Sequence, residues 1–338
     1  MELAAEGMTN LIKNCAEIKK GEDVLLINEI GATEPELVNL IAEAVKKEGA
    51  SCQILWADKP ERDDASLSPI LAGAIKSVDK VIAHYDLKDS VLRTFLDSAG
   101  GLRVVHSMFR KVDDFATIHG RFHWGVANAI YERFEKEIFR EGRKWRITTP
   151  VGTEIVGTIG RASERARQIE DERAPFSRSF NSPAFVPVSI SGSEGRAVIE
   201  YAGGHQRIPI DHPPTIVLEN NVMMKVEGPK EAKKWIDQYG KVLDEREERL
   251  GIEGRTVDSW HGGLHPRADC VKGLVGNAST KMLHFHMAPD GAHTATQMGD
   301  LDLELDGEKI FQGGKYAPGF DDAKLKEAAR RFGLEHWK

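Results

Sequence analysis

The chain has 338 residues, of which 41% are hydrophobic and 29% charged, and its formal net charge is -7. This is the composition of an ordinary folded protein, and the length is enough for two domains. Nucleic acids and anionic membranes attract basic surfaces, so neither is an expected partner, and no apolar run approaches the roughly 20 residues of a membrane span. Three scattered cysteines indicate a reducing compartment, and the N-terminal segment lacks the apolar core of a signal peptide. We therefore expect a cytoplasmic protein.

Helical and strand patterns alternate over the first hundred residues. After an amphipathic helix that Gly21 ends, the apolar runs "DVLLI", "CQILWA", "KVIAHYD" and "LRVVHSM" are separated by the helical stretches "ELVNLIAEAVKKEG", "SLSPILAGAIKSV" and "DSVLRTFLDSAG". This alternation is typical of an open parallel sheet with helices on both faces. The loop "NEIGATEPE" after the first strand has a single glycine and is rich in glutamate. It is a poor phosphate cradle, so no dinucleotide site is expected.

The pattern changes near Arg146. Short β runs separated by Gly, Pro and Asn follow, among them "WRITTPVGTEIVGTIG" and "LDLELDGEKIFQGGKY", and they indicate antiparallel pairing. A helix over residues 229–251 interrupts them, and its charge run "DEREERLG" is expected to be a solvated face. The sequence thus predicts an α/β plus α+β fold. An open parallel-sheet domain covers residues 1–143, and a mixed, largely antiparallel β domain with helices covers 144–338.

Histidines are concentrated in the second domain. Of the twelve in the chain, five fall in one short segment: His261, His265, His284, His286 and His293. Residues two apart on a strand share a face, so His284 and His286 can act together. Imidazole is a common ligand of transition metals, and the Gly262–Gly263 pair and the Pro289–Asp290–Gly291 turn would let both segments bend toward one point. The spacing matches no stringent metal motif, and single histidines in such loops are often only solvated.

Four stretches resemble the aminopeptidase T family and its relatives, the 2,5-dihydroxypyridine 5,6-dioxygenases. They are "NLIKNCAEIKKGEDVLLI", "WRITTPVGTEIVGTIG", "FNSPAFVPVSISGSEGRAVIE" and "HTATQMGDLDLELDG". The resemblance implies a metalloenzyme. The peptidases carry two metals on two Glu, two His, a Tyr and an Asp, and the dioxygenases carry one non-haem iron on two His and an Asp.

The departures from both families fall on ligand positions. Ala184 stands in or next to the slot of the peptidases' first glutamate ligand, and Ser259 and Ala295 stand where the dioxygenases have a His and the Asp. His284 and His293 keep family ligand positions. The resemblance therefore implies a rebuilt histidine centre, although decay of the metal site to a binding function stays open.

The expected cofactor is one divalent transition metal, with Fe(II) favoured and Zn or Mn as alternatives. Its expected ligands come from His261, His265, His284, His286 and His293, with Asp269, Asp290 and Asp300 as further ligands or orienting partners. Catalytic roles are expected for His265, Arg267 and His286, where Arg267 would either bind a substrate carboxylate or form a structural salt bridge.

Three functions remain open at this point. The first is oxygen-dependent cleavage of a hydroxylated aromatic or N-heterocyclic ring. The second is metal-dependent hydrolysis of a peptide or another amide. The third is non-catalytic binding. A small-molecule substrate and a homodimer or higher homo-oligomer are expected.

The stretch "SPAF" gives a first prediction. A two-metal peptidase site needs the carboxylate that Ala184 cannot supply, so we expect no meaningful aminopeptidase activity. The measurement is release of nitroaniline from Leu- and Arg-nitroanilide with added Zn, Co or Mn. Robust cleavage would contradict the prediction.

Overall fold

The structure is a computed structural model. It describes residues 2–59, 67–87, 89–92, 96, 101–161, 176–180, 185–202, 208–268, 278–288, 292–293 and 298–338. The chain divides into two compact units, Met1–Ala127 with Gln168–Ser182, and Asn128–Arg167 with Pro183–Lys338. The first unit is discontinuous because the chain returns to it after entering the second. The boundary between residues 143 and 144 stays a prediction, and the contacts place the first division upstream of it. None of the described helices is long and apolar enough to cross a membrane.

The strands and helices have the following bounds. The strands are β1 (Asp23–Glu29), β2 (Ser51–Ala57), β3 (Lys80–His84), β4 (Val104–Ser107), β5 (Lys144–Thr148), β6 (Glu154–Ile159), β7 (Ser177–Phe180), β8 (Phe185–Val198), β9 (Tyr201–Ala202), β10 (Ile208–Pro209), β11 (Thr215–Glu219), β12 (Val222–Glu227), β13 (Val257–Gly263), β14 (Met282–Met287), β15 (Ala292–His293), β16 (Met298–Gly299), β17 (Asp302–Leu305), β18 (Glu308–Gln312) and β19 (Lys315–Tyr316). The helices are α1 (Glu2–Thr9), α2 (Pro35–Lys47), α3 (Pro69–Lys76), α4 (Asp89–Leu92), α5 (Val112–Ala116), α6 (Ile118–Arg121), α7 (Trp124–Arg133), α8 (Lys233–Leu250) and α9 (Ala323–Arg331). π-Helical turns extend α1 over Asn10–Cys15 and α7 over Phe134–Ile138, and 3-10 turns lie at Lys230–Ala232 and Gly251–Arg255.

The first unit is built on a parallel sheet with the strand order β2-β1-β3-β4-β7. The sequence predicted β1 to β4 and their parallel pairing, and the fold class is confirmed. On one face, Leu25 and Ile27 of β1 pack with Leu71 and Ile75 of α3 in a buried core. β7 was not predicted, because "SRSF" is short and mostly polar.

The second unit contains a larger sheet of mainly antiparallel strands. Its main path runs β15-β14-β13-β8-β6-β5-β17-β18-β19, and β11 also pairs with β8. The 14-residue strand β8 pairs with β13 through its first part and with β6 through its second part. Trp260 of β13 packs edge-on against Trp145 and Phe139, so one face of β13 is fixed to the aromatic core.

Two histidines of the first unit are buried without a charge. His84 ends β3, is fully buried, and donates from Nδ1 to the carbonyl of Phe109 at 2.8 Å. Burial lowers the pKa of His84 to about 4, because it outweighs the opposing effect of the Phe109 carbonyl, and Arg110 lowers the pKa further. Burial also lowers the pKa of His119 to about 4. Both rings are therefore neutral in the folded protein.

These depressed pKa values predict that acid weakens the fold. The ordinary pKa of histidine is 6.5. Between this pH and a pH of about 4, the unfolded chain binds more protons than the folded chain. The stabilisation is complete above pH 6.5 and is lost as the pH falls toward 4, by up to about 1.4 kcal/mol per pH unit for each histidine. Urea unfolding across this range measures the slope.

His84→Asn provides the matched test of that slope. The Asn amide can still donate to the Phe109 carbonyl but does not titrate, so the slope of unfolding free energy against pH should become shallower. His336→Asn is the control, since the His336 side chain is 75% exposed. Equal slopes for wild type and His84→Asn would show that His84 does not contribute.

Candidate metal site

The pairing of β13 with β14 places three histidines on one face of the sheet. His261 lies directly opposite His284, and Ser259 lies opposite His286. Directly opposed residues share a face, as do residues two apart on one strand. The side chains of His261, His284 and His286 therefore project together. The opposite face carries Trp260 and Phe285, which belong to the core.

The three imidazoles form a compact, buried cluster. Each ring offers a nitrogen atom, and these atoms lie within 4.8 Å of one another. The residues are only 6%, 5% and 7% exposed, in chain order. Nε2 of His284 and Nε2 of His286 are 3.2 Å apart, and the ring of His261 stacks on that of His286 with centroids 3.5 Å apart.

The donor set fits a divalent transition metal. Two nitrogen ligands in tetrahedral geometry lie about 3.3–3.4 Å apart around an ion at the usual Zn–N distance, close to the His284–His286 separation. The ring centroids of His261 and His286 lie closer together than those of two imidazoles that bind one ion. Metal binding would therefore require one of these rings to turn. Among the residues that the structure describes, no carboxylate joins the group.

His265 lies outside this group. It follows β13, is buried, and its Nδ1 accepts a hydrogen bond from the backbone N–H of Arg267 at 3.2 Å. In the neutral ring the proton must then be on Nε2, which leaves neither nitrogen with a lone pair for a metal. The guanidinium of Arg267 is exposed and donates to the carbonyl of His336.

The structure describes His293 only through its backbone. β15 pairs with β14 so that His293 lies opposite His286, in the row that also contains Ser259. Asp269 and Asp290 lie outside the described residues, as do Ala184 and Ala295. Asp300 is exposed, in a left-handed turn after β16.

The face that His261 occupies depends on a β-bulge, which sequence reasoning missed. Val257 pairs with Met287, but the next pair is Ser259 with His286, so Asp258 is an extra residue in β13. The side chain of Ser259 donates to Asp258 Oδ1 at 2.8 Å. Bulges commonly re-aim side chains beside functional sites. The alternation of residues in "VDSWHGG" carries no signal that would have placed one here.

The Gly262–Gly263 pair differs from its predicted role as a bend. Both residues lie in β13, and neither has a positive φ. At Gly263 a Cβ atom would lie 2.2 Å from the carbonyl carbon of Ala278, so glycine permits close backbone approach there. At Gly262 the nearest atom to a Cβ would be the Met282 carbonyl oxygen at 3.3 Å. The Pro289–Gly291 turn lies outside the described residues.

Comparison with solved structures finds a similar fold in a dioxygenase. The 2,5-dihydroxypyridine dioxygenase from Pseudomonas putida KT2440 superposes with a TM-score of 0.62 at 13% sequence identity, covering 95% of this chain and 98% of that one. Wild-type AmpT from Thermus thermophilus gives a TM-score of 0.48 at 13% identity, covering 94% and 99%. No protein-family model matches the sequence, and no curated protein matches it. At this identity the likeness to the dioxygenase is one of fold.

The two glycines of β13 give a matched pair of variants. Gly263→Ala forces backbone against backbone, so it should lower the free energy of unfolding by about 1–3 kcal/mol, as overpacking typically does. Gly262→Ala meets a contact that a small shift relieves, so its cost should be clearly smaller. Urea unfolding at pH 7.5 measures both. Equal costs for the two variants would contradict this account of the close approach.

Proposed function

We propose that the chain is a metal-dependent enzyme and that His261, His284 and His286 bind its metal, with His293 as a fourth ligand. The observation that carries the proposal is the convergence of three buried imidazoles on one sheet face. Fe(II) is the favoured ion and Zn an alternative, because imidazole suits both better than it suits Ca or Mg; Mn is a further alternative, although it prefers oxygen ligands.

The preferred reaction is oxygen-dependent cleavage of a hydroxylated aromatic or N-heterocyclic ring. The fold shared with a dihydroxypyridine dioxygenase, over nearly the whole of both chains, favours this reaction over others, although a fold by itself does not fix a function. When bound, the metal would supply Lewis-acid binding of the substrate oxygens and of O2 at its open positions.

The chain's own residues would have separate tasks. The burial of the histidine cluster would keep bulk water from the reacting centre. His265 carries its proton on Nε2 and is proposed as a proton donor instead of a ligand, because Nδ1 is occupied by the Arg267 N–H. Arg267 is proposed to bind a substrate carboxylate through its exposed guanidinium.

Metal-dependent hydrolysis is the second candidate. Three histidines and an open position are a ligand set that also suits zinc, which lowers the pKa of a bound water enough to make it a nucleophile at neutral pH. Oxygen uptake with 2,5-dihydroxypyridine by the Fe(II)-loaded protein tests the first candidate. Release of amine from amide substrates by the Zn-loaded protein tests the second.

Removal of one imidazole should weaken metal binding. Protein purified without a His-tag is expected to contain about one transition-metal ion per chain, and His284→Ala should weaken binding by at least about 10-fold, since each ligand is part of one small set. Metal analysis and competition with a chromophoric chelator measure content and affinity.

His212→Ala is the control for that experiment, because His212 is exposed and far along the chain from the cluster. It should bind metal as wild type does. Wild-type affinity in His284→Ala would exclude the proposed ligand set. Absence of any bound metal in the wild type, even after loading with Fe(II) or Zn(II), would favour non-catalytic binding.

A further inference from the structure

Arg246 is a buried cation on a helix whose charge run was predicted to be solvated. The run "DEREERLG" ends α8, and its neighbours Glu245 and Glu247 are exposed as predicted, but Arg246 is only 7% exposed. Its Nε donates to the carbonyl of Gly254 and its Nη2 to the carbonyl of Ala288, both at 2.8 Å. A buried guanidinium needs such acceptors, because its desolvation would otherwise be costly.

The two carbonyls that Arg246 holds belong to the segments that flank the histidine strands. Gly254 lies in the turn that leads into β13, and Ala288 directly follows β14. The backbone N–H of Ala288 also donates to the carbonyl of Thr256 at 2.8 Å, which closes the same end of the strand pair. One side chain of α8 therefore joins the start of β13 to the end of β14.

The bulge at Asp258 lies immediately beyond this junction. Its extra residue is what brings His261 opposite His284. If the pairing continued from Val257–Met287 without the bulge, Trp260 would lie opposite His284 and His261 would face the core, because a one-residue slip reverses the face of every side chain. The register at this end therefore decides whether three imidazoles share a face.

We propose that Arg246 is a positioning residue for the metal site. By fixing the Gly254 and Ala288 carbonyls, it keeps the bulged register in which His261 joins His284 and His286. Lysine cannot replace it, since an ammonium on a flexible stem does not present two fixed donors to two carbonyls. Gly254 belongs to the same device, because a Cβ at that position would lie 2.4 Å from the carbonyl oxygen of Arg246.

The consequence for metal binding rests on the proposed function and is tested by affinity. Arg246→Met should bind Zn(II) at least about 10-fold more weakly than wild type, at a temperature well below its own unfolding transition. Arg249→Met is the matched control, since Arg249 is an exposed arginine on the same helix, and it should bind as wild type does. Wild-type affinity in Arg246→Met would overturn the inference.

A second readout needs no metal. A His261→Cys/His284→Cys pair should be joined by dibromobimane, which becomes fluorescent when it links two nearby thiols, with the linked peptides identified by mass spectrometry. Adding Arg246→Met should reduce the yield of this link several-fold, whereas adding Arg249→Met should not. Equal yields with and without Arg246→Met would overturn the inference, whatever the metal affinity.

Two further variants keep the test decisive if Arg246→Met does not fold. Arg246→Lys retains the charge but only one donor group, and Gly254→Ala retains Arg246 but obstructs its approach, so both should lower the yield of the thiol link. If neither does, the inference is wrong. If the link depends on Arg246 while the wild type binds no metal, the positioning role stands and the proposed function fails.

Discussion

The arrangement of the histidine cluster depends on the register between β13 and β14. A strand has two faces, and in this pair both are buried, one by aromatic side chains and one around imidazoles. Side chains of such different polarity cannot exchange faces without placing an indole among the histidines and a histidine in the core. The packing of Trp260 against Trp145 and Phe139 therefore also fixes the face on which His261 lies.

Neutral imidazoles can share a confined space where carboxylates or ammonium groups would repel one another. Nε2 of His284 and Nε2 of His286 are 3.2 Å apart, which suits a hydrogen bond between neutral rings, because a neutral ring can both donate and accept one. Strand pairing already holds the three side chains on one face, so metal binding would require only that one ring of the stacked pair turn.

Much of the fold could be predicted from the sequence because apolar runs and turn residues are local signals. The strands β1 to β4 are short apolar segments between amphipathic helices, and their parallel pairing followed from that alternation. β7 could not be predicted, because "SRSF" is short and mostly polar, and its partner strand β4 and the rings that pack on Phe180 lie far away in the sequence. The convergence of His284 and His286 followed from their spacing on a strand. The position of His265 outside this group did not, because it depends on the path of the chain after β13, where the Arg267 backbone donates to His265 Nδ1. Nor did the burial of Arg246, since a charged side chain amid acidic neighbours gives no local sign of its distant carbonyl partners.

The discontinuity of the first unit affects how the chain can be cut and how it is made. Its parallel sheet takes its last strand, β7, from residues that follow β5 and β6 of the second unit. A fragment that stops at residue 143 would leave β4 with an unpaired edge, and exposed edges of apolar strands invite association with other chains. During synthesis on the ribosome the same edge stays open until residue 180 has emerged. The first sheet is the first to begin, yet it cannot be completed until part of the second unit has been translated.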